Sequence, residues 1–175
     1  MMEKVLLRRA FFIAGVVWLA ALFAVPATAL AQSHDKDSDG KFTGMALVIS
    51  DLRWYKLFES PKTPVIENKD VFRPNERGVV ALIFASAKPR DGVVRVECDV
   101  TAFDSEGSKR IVEGGVCYEG PAYPDYVLVP ALLDIHFEVG SSDPPGPVGF
   151  QIALRDVYSG REVQLRVGFE RDTGK

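Results

Sequence analysis

From Val93 to Ala102 the chain alternates without a break. Val94, Val96, Cys98, Val100 and Ala102 share one face, and Arg95, Glu97, Asp99 and Thr101 share the other. A period of two carried by β-branched residues predicts a half-buried strand. The polar, glycine-containing pause Asp104 to Ser108 predicts a hairpin loop, with Lys109 to Val112 opening the returning strand. The same period recurs towards the C-terminus. Leu133, Ile135, Phe137 and Val139 share a side, as do Val148, Phe150, Ile152 and Leu154. Val163, Leu165, Val167 and Phe169 follow a tight hairpin turn, Tyr158-Ser159-Gly160-Arg161. Phe42 to Ser50 is instead apolar on both faces, the pattern of a covered strand, and Val79 to Ala85 is short and strongly apolar.

Turn signals separate these runs: Arg73 to Gly78, Lys88 to Gly92, and Gly140 to Pro147. Asp51 to Phe58, with Trp54, Tyr55 and Phe58, reads equally as a strand or a packed turn. Gly114-Gly115 and Gly120 to Tyr126 form the most irregular region. No amphipathic helix is read after the N-terminal segment. Seven to eight short strands, with turns every ~8–12 residues, predict an all-β, antiparallel β-sandwich.

The closing pair, Asp143-Pro144-Pro145-Gly146, an alternating strand, Asp156, Ser159-Gly160-Arg161 and a last strand, resembles the end of immunoglobulin-like modules in bacterial exported proteins. The approach Phe72-x-Pro74-x-Glu76 before a strand is similar to their opening. The resemblance spans residues 70–169 and lies mostly in turns. It implies an immunoglobulin-like sandwich with a binding or structural habit, and it carries no catalytic residues.

The N-terminus changes the picture of where this domain works. Lys4, Arg8 and Arg9 precede an uncharged apolar run, Ala10 to Val25, that Pro26 breaks before Ala29-Leu30-Ala31. This is the pattern of a signal peptide over residues 1–31, cleaved before Gln32. The run of 16 residues falls short of the ~20 that span a bilayer. A membrane contact is therefore expected only through this segment, if it stays uncleaved. Loss of three basic residues and one acidic residue takes the net charge from −3 to −5 over 144 mature residues. A polar acidic linker is expected over 32–41, the sandwich over 42–170 and a polar tail over 171–175. An acidic chain with no basic cluster is a poor match to nucleic-acid phosphates.

The two cysteines, Cys98 and Cys117, are expected to pair in an exported chain. The absence of a Cys-x-x-Cys spacing makes that bond structural. Asp35-x-Asp37-x-Asp39-Gly40 has the first half of a calcium-loop spacing, but the closing Glu is missing and Ala46 stands in its place. Asp35, Asp37 and Asp39 are thus a weak calcium candidate in a solvated linker. His34 and His136 are too few for a metal centre once the cysteines are paired, so no metal and no cofactor is expected.

No nucleophile signature such as Gly-x-Ser-x-Gly is present, and no carboxylate pair stands out. The expectation is a non-enzymatic periplasmic or secreted module that binds another envelope protein. A carbohydrate-binding module is the alternative, and a small hydrolase comes behind both. Tyr118, Tyr123 and Tyr126, with Pro121 and Pro124, form a stiff aromatic loop and are the candidate partner-binding residues. Sealing one end of the sandwich is the competing role for two of these three tyrosines, and core packing is the competing role for Trp54, Tyr55 and Phe58.

Overall fold

A computed structural model describes residues 32, 34–50, 52–59, 64–104, 106–107 and 109–172. The signal segment expected over residues 1–31, and residues 173–175 of the expected tail, lie outside the described residues. The remainder is all-β and forms two sheets. The first runs β1 (His34–Asp39), β2 (Phe42–Ile49), β4 (Arg77–Ala85), with β7 (Val129–Pro130) and β8 (Ile135–Glu138) both on the far edge of β4. The second runs β3 (Val71–Phe72), β10 (Arg161–Arg171), β9 (Gly146–Asp156), β5 (Val93–Phe103), β6 (Lys109–Pro121). Neighbouring strands are antiparallel except β3, which lies parallel to the end of β10.

The alternating runs turn their apolar sides into the sandwich, as their period requires. Val94, Val96, Cys98 and Val100 of β5 are buried against Ile152 and Leu154 of β9, and Val163, Leu165 and Val167 of β10. Opposite them stand Phe42, Ala46 and Val48 of β2 and Val80, Leu82 and Phe84 of β4. One end of this core is aromatic. Phe137 stacks on Phe169 at 4.4 Å, and Phe72 meets both rings, at 5.0 and 4.8 Å. Gly78 leaves room for that cluster: a β-carbon there would stand 2.4 Å from the Phe137 ring and 2.7 Å from that of Phe72.

A smaller core lies on the outer face of the first sheet. Leu47, Ile49, Val79, Ala81 and Ile83 are covered there by Trp54, with Leu52, Phe58 and Ile66 packed alongside. Strands β2 and β4 are therefore buried on both faces, which explains why neither alternates. The segment left open between strand and turn is a 3-10 helical turn, Trp54–Glu59, that lays Trp54 on this outer face.

Four expectations are corrected. The acidic stretch 32–41 is not a free linker, because its His34–Asp39 forms β1, paired with β2 from His34↔Leu47 to Asp39↔Phe42. The physical reason lies on the other sheet. Along the outer edge of β10 the amides of Glu162, Gln164 and Arg166 donate to the carboxylates of Asp39, Asp37 and Asp35, at 3.3, 3.0 and 2.7 Å. The same edge continues through Gly168, Glu170 and Asp172, whose amides reach the carbonyls of Gln32, Asp70 and Phe72 at 2.8, 2.8 and 2.9 Å. The edge donors of β10 are thus satisfied by the aspartate side chains and the Gln32 carbonyl along most of its length, and by the short strand β3 at its end.

Second, the irregular region around Gly114-Gly115 belongs to β6, which runs for 13 residues to Pro121. Two bulges in its pairing with β5 accommodate the departures from alternation. Third, Arg171 closes β10 and is not the start of a tail. Fourth, there are ten strands among the described residues, because β1, β3 and β7 were not read from the sequence, the last two being only two residues long.

Cys98 and Cys117 are bonded, joining adjacent strands of one sheet with Cα atoms 5.8 Å apart. A bulge makes this possible. Glu97 pairs with Val116 and Val96 with Tyr118, so Cys117 is the extra residue between them. Gly115, at φ 135°, enters the bulge in a conformation that suits glycine. Cys117 and Tyr118 consequently both point inward, while Val116 is exposed.

Candidate functional site

The open side of the sandwich lies between β6 of one sheet and β7 and β8 of the other. There the chain forms a cleft of about 730 Å³. Its walls are the 3-10 turn Trp54–Glu59, the end of β6 with the following loop, and the segment from Val127 to His136. Two aromatic groups far apart in sequence, Trp54-Tyr55-Phe58 and Tyr118-Tyr123, are brought to the same cleft.

Hydrogen bonds fix these walls. Trp54 Nε1 donates to Asp134 Oδ2 at 3.2 Å, which ties the 3-10 turn to the start of β8. Asp134 Oδ1 lies 3.1 Å from His136 Nε2. Leu132 donates its amide to the carbonyl of Cys117 at 2.8 Å, and Ala131 donates to Leu82 at 2.8 Å, so the segment that interrupts β7 and β8 bridges the two sheets. The tyrosine loop is held at both ends. Ala122 donates to the Gly92 carbonyl at 2.9 Å, Val127 donates to Pro124 at 2.9 Å, and Ser86 Oγ donates to the Asp125 carbonyl at 2.8 Å.

The three candidate tyrosines divide. Tyr118 is a core residue, not a surface one. Its ring packs edge-on against Phe84 at 5.0 Å, and its hydroxyl donates to the Pro121 carbonyl at 3.3 Å. Burial, reinforced by the neighbouring Tyr123 hydroxyl, pushes its phenol up to about 12. Tyr123 is 49% exposed and Tyr126 85% exposed. Tyr123 lines the cleft and Tyr126 stands on the adjacent turn.

The other singled-out residues also separate. Trp54 is fully buried, as core packing requires, whereas Tyr55 is half-exposed at the cleft. His136 is an exposed strand residue paired with Asp134, and no group of three or more His, Cys, Asp or Glu that could hold a metal occurs among the described residues. Asp35 and Asp37 face β10, and their second oxygens accept the amides of Lys36 at 2.8 Å and Ser38 at 2.7 Å. Glu59 and Glu119 also line the cleft, and no sequence spacing pointed to them. Only the tertiary fold brings them together, since the 3-10 turn and β6 are distant in the chain.

No family model matches the chain, and no curated protein matches it. Solved structures similar to it include a family 123 glycoside hydrolase from Clostridium perfringens, with TM-score 0.42 and 11% identity, over 74% of this chain and 27% of that one. A Niemann-Pick type C2 protein from the Japanese carpenter ant is similar with TM-score 0.37 and 9% identity, over 73% of this chain and 89% of that one. An alkylpurine DNA glycosylase from Pseudomonas fluorescens gives TM-score 0.35 and 13% identity, over 58% and 27%. The chain thus spans about a quarter of the length of the glycoside hydrolase.

Proposed function

We propose that the protein is an exported, non-catalytic immunoglobulin-like module that binds another envelope protein at the open-side cleft. The carrying observation is the distribution of apolar surface. Of nine large apolar side chains exposed among the described residues, four line this one cleft: Tyr55, Tyr123, Leu128 and Leu132. Exposed apolar groups gathered at one concave place, rimmed by polar residues, mark interaction sites. The hydrogen-bonded ends of the tyrosine loop keep the ordering cost of binding low.

The strand order supports the immunoglobulin-like reading. β2-β4-β8 stands where such folds carry strands A, B and E, and β10-β9-β5-β6 where they carry G, F, C and C′. The disulfide departs from that pattern, since it joins β5 to β6 within one sheet. It supports export, because disulfides persist in oxidising compartments.

The test pairs capture of a partner from the envelope fraction with melting temperature, for Tyr123→Ala and Leu132→Asp. Loss of a specific captured protein at an unchanged melting temperature is expected, with a cost of about 2 kcal/mol for a central tyrosine. Capture unaffected by both substitutions would remove the cleft from consideration. Retention on an immobilised glycan, lost in Tyr123→Ala, would move the protein to a carbohydrate-binding module.

A further inference from the structure

We infer that the cleft receives the cationic side chain of an arginine or lysine, carried on an extended segment of the partner protein. The inference rests on the proposed binding role of the cleft and names the chemistry of its occupant. Three carboxylates, Glu59, Glu119 and Asp134, line the cleft, and no Lys or Arg lines it. Asp134 is engaged by Trp54 and His136, and Glu119 is shared with Arg95 at 3.0 Å. Glu59 has no ion-pair partner among the described residues, so an excess of negative charge faces the space. A neutral or anionic group entering there would leave the Glu59 carboxylate partly desolvated without compensation.

The aromatic walls favour the same occupant. Tyr55 and Tyr123 line the cleft from different segments and are each about half exposed, which leaves ring surface for a cation to approach. A guanidinium fits such a place best, because its planar fork pairs with a carboxylate while its face stacks on a ring. The methylene stem of either side chain would lie along Leu128 and Leu132, burying apolar surface while the charge reaches the carboxylates. A volume of about 730 Å³ exceeds one side chain, and accommodates it together with flanking residues of an extended segment.

The probes are peptides Ac-Ala-Leu-X-Leu-Ala-NH2 with Arg, Gln or Glu at X, and a neutral oligosaccharide. Binding to the full chain is followed by NMR at the Trp54 indole N–H and at the Tyr123 ring. The Arg peptide is expected to bind about tenfold more tightly than the Gln peptide, and the Glu peptide more weakly than both. The preference should shrink in molar salt. It should also fall in Glu59→Gln, and further in Glu59→Gln with Glu119→Gln, at an unchanged melting temperature. Equal binding of the Arg and Gln peptides at the cleft overturns the cationic occupant and leaves the binding role standing. Cleft shifts with the oligosaccharide alone, or no cleft shift with any probe, also overturn it. Silence of every probe, combined with partner capture indifferent to Tyr123→Ala, removes both readings.

Discussion

The backbone amide of Gln164 donates to Asp37 Oδ2 at 3.0 Å, so a side chain of one sheet occupies the place of a neighbouring strand in the other. Asp35 and Asp39 repeat the contact two residues to either side, against Arg166 and Glu162. Charge-assisted hydrogen bonds of this kind hold the sandwich shut along the β1–β10 side. Asp37→Ala is expected to lower stability by about 1 kcal/mol. In the triple variant with alanine at 35, 37 and 39, the amides of Glu162, Gln164 and Arg166 should exchange much faster. Those of Val163 and Leu165, which face β9, should stay protected. Hydrogen exchange resolved by residue is the measurement. Uniform loosening of all five amides would show that the ladder acts only through global stability.

How far the sequence led can be judged at this same ladder. The aspartates alternate with the period of a strand, but the partner amides lie more than 120 residues away in the chain. Without them the stretch has only polar composition to show, and it reads as a solvated lead. Where a strand buries an alternating face, as β5, β9 and β10 do, the period was sufficient to place it. The two-faced apolarity of β2 likewise announced its second covering layer. Strand β6 was obscured because Gly114, Gly115 and Gly120 are poor strand residues, and because two bulges that no local pattern encodes interrupt its alternation. The cleft was legible only in pieces. Both aromatic groups were visible as candidates, but which tyrosine turns inward depends on the bulge at Cys117. The convergence of Glu59 and Glu119 depends on the tertiary fold.

The disulfide offers a second test. Cys98 and Cys117 are 19 positions apart, and closing a loop of that length contributes about 3 kcal/mol in the chain-entropy model. Replacing both cysteines by alanine should therefore lower stability by an amount of that order, including the small cavity left behind. The loss should be seen first in the β5–β6 hairpin. Chemical denaturation of the double variant, compared with the oxidised and the reduced parent, is the check. Equal stability of the oxidised and reduced parent would mean that the bond contributes nothing to the fold.

Gly78 provides a purely steric prediction. Its backbone passes so close to Phe72 and Phe137 that an added methyl group would overlap both rings. Those rings are packed against Phe169 in turn, so they cannot withdraw without disturbing the whole aromatic end. Gly78→Ala is expected to cost about 1–3 kcal/mol, although alanine ordinarily favours an ordered strand over glycine. The equilibrium unfolding midpoint decides it. An unchanged or raised midpoint would mean that the ring cluster has slack.

The last prediction concerns pH and follows from the buried phenol of Tyr118. Its folded-state pKa is raised to about 12, chiefly because burial disfavours the charged phenolate, with the Tyr123 hydroxyl adding to the effect. The unfolded chain ionises the same group near 10. Between these values the unfolded state binds fewer protons than the folded state, so stability must fall as pH rises. Below about pH 10 the contribution is fully present, and it is lost on the way to about pH 12. Two pKa units correspond to about 2–3 kcal/mol of lost stability. Tyr118→Phe keeps the ring against Phe84 and removes the ionisable group, so it should lack this component. At neutral pH the variant should be weaker by about 1 kcal/mol, through the missing hydrogen bond to Pro121. Towards pH 12 it should become the more stable of the two. Denaturation midpoints for both proteins across the alkaline range give the crossing point. Tyrosinate absorbance should show one of the chain's five tyrosines ionising late in the parent and absent from the variant. Parallel stability curves with no crossing would show that Tyr118 ionises freely in the folded protein, and hence that its hydroxyl is open to water.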